Sequence, residues 1–130
     1  MGTVLVVDDH VTNRTLLTKL LRLEGFTVIP TGNVWQALAV LETQPVDLVL
    51  LDFNLPGMDG DGLLRELAAD ARFAHLPVIM VTAQPFNREM WLAHKDHLRD
   101  WLVKAQFSPE QLLDVIQRNI VERMPCRAAN

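Results

Sequence analysis

Consecutive apolar residues fall in three short runs, 4–7, 46–51 (broken only by Asp47) and 78–81, all rich in β-branched side chains. Continuous rather than alternating apolarity predicts strands covered on both faces. Two weaker stretches, 26–29 and 101–103, predict two more strands. Between them the spacing changes to a period near 3.6. Leu16, Leu17, Leu20 and Leu21 form one helical stripe, and Val34, Trp35, Ala37, Leu38 and Leu41 form a second. Gly25 predicts a left-handed end to the first helix, and Asn33 predicts the cap of the next. A third helix is expected over 62–69, and Pro85 predicts the start of a fourth that carries Met90 and Trp91. The last helix has the clearest opening. Ser108-Pro109-Glu110-Gln111 places a serine cap, a proline at the first helical position and Gln at the third, before a stripe of Leu112, Leu113, Ile116 and Ile120.

Strand and helix alternate five times, which predicts an α/β fold: an open parallel sheet with right-handed crossovers and helices on both faces. Ligands of such sheets bind beyond the carboxyl ends of the strands. The 130 residues suffice for one domain, expected over 1–122 with a short frayed tail at 123–130. A hydrophobic share of 49% and a charged share of 22% are those of a globular chain. The formal charge of −4, with basic residues scattered, argues against direct binding to nucleic acid phosphates. No apolar run reaches membrane-spanning length, so no membrane association is expected. Cys126 is the only cysteine, which excludes an intramolecular disulfide and fits a reducing cytoplasm.

Chemistry gathers at the predicted strand ends. Asp8-Asp9 closes the first run and Asp52 the run at 46–51. Three converging carboxylates repel one another unless a divalent cation is shared among them, and hard oxygen ligands suit Mg²⁺. Thr82 ends the run at 78–81 with a hydroxyl, and Lys104 follows 101–103 with an ammonium. A hydroxyl donor and a cation facing a carboxylate and a metal match the needs of a transferring phosphoryl group. The set describes an aspartyl phosphorylation site.

On these residues the chain resembles the receiver domain of two-component response regulators over 3 to about 122. The motifs are Val6-Val7-Asp8-Asp9, the segment from Leu51-Asp52 through Asn54-Leu55-Pro56-Gly57 to Asp59-Gly60, Val81-Thr82-Ala83, and Lys104. The resemblance implies a flavodoxin-like doubly wound fold with strand order 2-1-3-4-5. It implies Asp52 as phosphoacceptor, with Mg²⁺ held by Asp8, Asp9, Asp52 and the backbone carbonyl of Asn54. Thr82 is then the switch, Lys104 pairs with the phosphoryl group, and Trp101 stands where the family has a Tyr or Phe that changes rotamer. Asn54 and Gln84, each two residues beyond a site residue, border the phosphoryl group and tune its hydrolysis. The implied donor is a histidine kinase or a histidine phosphotransfer protein, and the implied recipient a downstream protein or output domain. The protein would be a signalling domain, catalysing only its own phosphorylation and dephosphorylation.

Departures from the family pattern are Ala105 where proline usually follows the lysine, and His97-Leu98 where a Gly-Ala pair is usual. These residues are expected on the surface of the fourth helix, fifth strand and fifth helix, and a trans Lys104-Ala105 bond is expected. His94 and His97 read as a solvated pair, His10 as an exposed loop residue, and Trp35 and Trp91 as packing residues. Two alternatives stay open. A haloacid-dehalogenase-like phosphohydrolase also forms an aspartyl phosphate, but its nucleophile opens an Asp-x-Asp motif on an early strand. A receiver-like interaction module without phosphorylation is suggested by Ala105, His97 and Leu98, against the intact acidic residues, Thr82 and Lys104.

Overall fold

The computed structural model describes residues 2–53 and 60–123. Five parallel strands, β1 (Thr3–Val7), β2 (Thr27–Thr31), β3 (Leu48–Leu51), β4 (Val78–Thr82) and β5 (Leu98–Val103), form one sheet in the order β2-β1-β3-β4-β5. Helices α1 (Val11–Leu23), α2 (Val34–Thr43), α3 (Gly60–Ala68), α4 (Arg88–Ala93) and α5 (Pro109–Arg123) connect or follow them. This is the flavodoxin-like doubly wound arrangement.

Alternate residues of the central strands feed opposite faces. Val4, Val6, Leu48, Leu50, Ile79 and Val81 pack with Leu21, Leu112 and Ile116 of α1 and α5. Leu5, Val7, Val49, Leu51, Val78 and Met80 pack with side chains of α2 and α3 on the other face. The continuous apolar runs follow from this two-sided burial, and truncating one such leucine to alanine costs about 2–5 kcal/mol.

The edge strands are longer than predicted. β2 extends to Thr31 and includes Pro30, because an edge strand tolerates a residue without an N–H. β5 begins at Leu98, with Arg99 bulged between the pairs Val78–Leu98 and Ile79–Asp100. Its charged residues hid it from a search for apolar runs.

Helix ends follow local chemistry. Gly25 adopts φ 96°, and the bonds Gly25 N–H to Arg22 O and Phe26 N–H to Leu21 O close a Schellman motif. Asn33 accepts from Gln36 N–H at 2.8 Å. Ser108 Oγ accepts from Gln111 N–H at 3.1 Å while Gln111 Oε1 accepts from Ser108 N–H at 2.7 Å, a reciprocal box. The fourth helix differs from expectation: its cap is Asn87, accepting from Met90 N–H, not the turn at Pro85. The third starts at Gly60, two residues early, where a Cβ would meet Phe53 Cα at 2.9 Å.

Two stripe members are corrected. Leu16 is 60% exposed, lying about 140° around α1 from the buried Leu21. Trp35 is 55% exposed, because Val34, Ala37 and Leu41 already fill the inner face of α2. Trp91 does pack against the core. The tail from 124 to 130, with Cys126, lies outside the described residues.

Candidate functional site

Sheet register assembles the site. Val7 pairs with Leu51, so the residues that follow, Asp8 and Asp52, leave adjacent strands side by side. Asp52 N–H donates to Val7 O at 2.9 Å and Asp8 N–H to Thr31 O at 3.1 Å, fixing both peptides. Thr82 pairs with Val103, and Lys104 N–H donates to Thr82 O at 2.8 Å. Four strand ends thus deliver two carboxylates, a hydroxyl and an ammonium to one edge.

Asp8 and Asp52 are buried, at 2% and 5% exposure, and Thr82 is fully buried. Lys104 Nζ stands 2.9 Å from Asp52 Oδ2 and 3.0 Å from Asp8 Oδ2, bridging the pair. Desolvation pulls the Lys104 pKa down, but the hydrogen bond to Asp52 and the negative charges of Asp52 and Asp8 outweigh it and hold the ammonium above its ordinary value. The Asp52 contact is a hydrogen bond. The Asp8 contact is ionic only: Oδ2 of Asp8 is buried without a hydrogen bond among the described residues.

Asp9 and His10 are exposed at the rim. One ligand atom from each of Asp8, Asp9, His10 and Asp52 falls within 4.8 Å of the others. Three carboxylates with a buried oxygen lacking a hydrogen bond are a donor set that fits a hard divalent cation. His10 also lends its backbone N–H to Asp8 Oδ1 at 2.9 Å. Asn54 lies outside the described residues.

Beyond Thr82 a polar chain leads outward. Gln84 N–H donates to Thr82 Oγ1 at 3.3 Å, and Trp101 Nε1 donates to the Gln84 carbonyl at 3.1 Å. Trp101 is half-buried. Phe86 sits between Trp91 and Trp101, with 5.6 Å between ring centroids on each side.

Lys104-Ala105 is trans, as is every described peptide bond, and Ala105 takes φ 68°. Gln106 N–H donates to Val103 O at 3.0 Å, closing a turn whose third residue needs a positive φ.

Other expectations are corrected. His94 and His97 are not a solvated pair: His94 Nε2 binds Asp61 of α3, and His97 is buried with Nδ1 against Leu76 O at 3.0 Å. The short α4 ends at Ala93, which turns both imidazoles inward. His97 and Leu98 are therefore core residues, 5% and 1% exposed, and do not form the surface expected of them. Arg14, which no sequence signal singled out for the site, donates Nη1 to the Asp8 carbonyl at 3.0 Å.

The fold is a doubly wound parallel sheet that carries acidic residues, a threonine and a lysine at the carboxyl ends of adjacent strands, the arrangement expected of a receiver domain. The family model described as the response regulator receiver domain matches residues 4–117, and the chain belongs to that family. It is 36% identical over 119 residues to the chemotaxis protein CheY of Pseudomonas aeruginosa, covering 88% of this chain and 96% of that protein. It is 40% identical over 111 residues to the DNA-binding response regulator MtrA of Mycobacterium tuberculosis, covering 85% of this chain but 46% of that one. The receiver domain of a sensor histidine kinase from Pseudomonas aeruginosa, solved with a magnesium ion coordinated in its active site cleft, superposes with a TM-score of 0.80. That match has 29% identity and covers 92% of this chain and 97% of the other. The family is one of two-component signalling, which sets aside the phosphohydrolase alternative. Among the described residues no helix is long and apolar enough to cross a membrane.

Proposed function

We propose that residues 1–122 accept a phosphoryl group on Asp52 from a phosphohistidine of a histidine kinase or a histidine phosphotransfer protein. The observation that carries this reading is the Lys104 ammonium held between two buried carboxylates at the sheet edge. In the transfer an Asp52 carboxylate oxygen bonds to phosphorus as the phosphorus–nitrogen bond to the donor histidine breaks, its electron pair staying on that nitrogen. Asp52 becomes an acyl phosphate. Lys104 exchanges a carboxylate for a phosphoryl oxygen as its partner without leaving the site.

Asp8, Asp9 and Asp52, with the Asn54 carbonyl, would hold Mg²⁺, which when bound neutralises charge on the transferring group. Its presence in a neighbour's cleft and the buried, unbonded Asp8 oxygen support this assignment. Thr82 Oγ1 turns from Gln84 N–H toward the phosphoryl group, and Trp101 responds through Gln84. Asn54 and Gln84 border the attacking water and set the lifetime of the acyl phosphate. The phosphorylated state signals to a downstream protein or output domain from the cytoplasm, without itself contacting nucleic acid or a membrane.

Incubation with a phosphorylated histidine phosphotransfer protein tests this. Label should pass to the chain only with Mg²⁺ and fail to reach Asp52→Asn. Equal labelling of Asp52→Asn would overturn the assignment. Absence of transfer from every phosphohistidine donor and small phosphodonor would favour the interaction module without phosphorylation.

A further inference from the structure

Asp8 is held at each of its polar groups but one. Its N–H donates to Thr31 O, its Oδ1 accepts from His10 N–H, and its carbonyl accepts from Arg14 Nη1 at 3.0 Å. What is left over is Oδ2, buried and facing Lys104. Arg14 itself is firmly based. Its N–H donates to His10 O at 2.9 Å, and its carbonyl accepts from Thr18 Oγ1 at 2.7 Å.

The guanidinium reaches Asp8 past Gly32, in the loop after β2. A Cβ on Gly32 would stand 2.8 Å from Arg14 Nη1. Among the described residues the glycine with positive φ is Gly25, so backbone conformation does not call for glycine at 32. Room for Arg14 does. The Gly32 peptide is tied in turn, its N–H donating to Gln36 Oε1 at 2.8 Å.

We infer that Arg14 is a positioning residue for the cation site, aiming the Asp8 carboxylate by clamping its carbonyl, and that Gly32 is glycine to let the guanidinium pass. This rests on the Mg²⁺ reading above. Two effects of Arg14 oppose each other there. Its positive charge disfavours a cation, while its hydrogen bond presents the ligand. Weaker Mg²⁺ binding on its removal is therefore a signature of positioning and cannot come from charge.

The test titrates Mg²⁺ into the wild-type protein, Arg14→Ala, Gly32→Ala and the double variant by calorimetry, with thermal melts in metal-free buffer alongside. Residues that orient a metal ligand typically contribute tenfold or more to affinity, so Arg14→Ala should bind Mg²⁺ about tenfold more weakly. Gly32→Ala should do the same, because the atom its Cβ meets is the free end of a flexible side chain that swings away. The double variant should bind no more weakly than Arg14→Ala. A merely structural Arg14 would lower the melting temperature and leave the dissociation constant within about twofold of wild type, and that result, or tighter binding, overturns the inference. Unaltered binding by Gly32→Ala overturns the role given to that glycine. No Mg²⁺ binding by the wild type would instead remove the cation reading, and this inference with it.

Discussion

The indole N–H of Trp101 donates to the carbonyl of Gln84 at 3.1 Å, and the N–H of the same Gln84 donates to Thr82 Oγ1 at 3.3 Å. One residue thus ties the buried hydroxyl at the end of β4 to an aromatic side chain on the edge strand. A phenyl ring at 101 could make no such bond.

When Mg²⁺ and beryllium fluoride fill the site, Thr82 Oγ1 should leave Gln84 N–H and the Trp101 environment should change. In a Trp35→Phe, Trp91→Phe background the remaining fluorescence should shift on addition, and Thr82→Ala should abolish the response. An unaltered Trp101 signal in protein shown to bind beryllium fluoride would break the proposed link.

Removing Lys104 leaves Asp8 and Asp52 adjacent, buried and without their shared cation. Lys104→Met should destabilise the metal-free protein by about 3 kcal/mol, the cost of stripping one partner from a buried ion pair. Mg²⁺ should recover part of the deficit. The Lys104 pKa is raised in the fold above its reference of 10.5, so its contribution is complete below the ordinary lysine value and declines only above it. The part of the stability difference due to its charge should accordingly be constant between about pH 6 and about pH 9. Urea titrations across that range check both statements.

Ala105 carries a positive φ that an L side chain adopts at a cost of about 1–2 kcal/mol. Ala105→Gly should stabilise by about 0.5 kcal/mol after glycine's extra unfolded entropy is subtracted. Ala105→Pro, the family's usual residue, should destabilise by more than about 1 kcal/mol, because proline fixes φ near −65°. Thermal melts of the two variants should move in opposite directions.

Much of this architecture was legible in the sequence because the inner strands are buried on both faces, which writes them as unbroken apolar runs ending in Asp8, Asp52 and Thr82. Sheet register then brings those ends together without further instruction. Lys104 was legible because it directly follows Trp101-Leu102-Val103, the apolar end of β5. The edge strands were less so, since Pro30, Arg99 and Asp100 are acceptable where one side of the strand has no partner. Arg14 at Asp8 and His94 at Asp61 had no periodic or local signal. Arg14 lies only six residues after Asp8, but its reach back to that carbonyl is set by how α1 leaves the strand end, and His94 meets Asp61 across 33 residues of sequence.

Gln84→Glu should alter the lifetime of the phosphorylated protein more than its stability, because the proposed position beside the attacking water gains a carboxylate able to accept its proton. Decay of the acyl phosphate, followed after donor removal, measures this. Identical decay in Gln84→Glu and wild type would remove Gln84 from that position, and Asn54→Ala tests its proposed counterpart in the same assay.

Intact-mass spectrometry of the protein treated with a small phosphodonor, followed by peptide mapping, addresses the central claim most directly. The account predicts the gain of one phosphoryl group, located at Asp52, dependent on Mg²⁺ and absent from Asp52→Asn. Phosphorylation at another residue, or unchanged labelling when Mg²⁺ is chelated, would contradict it.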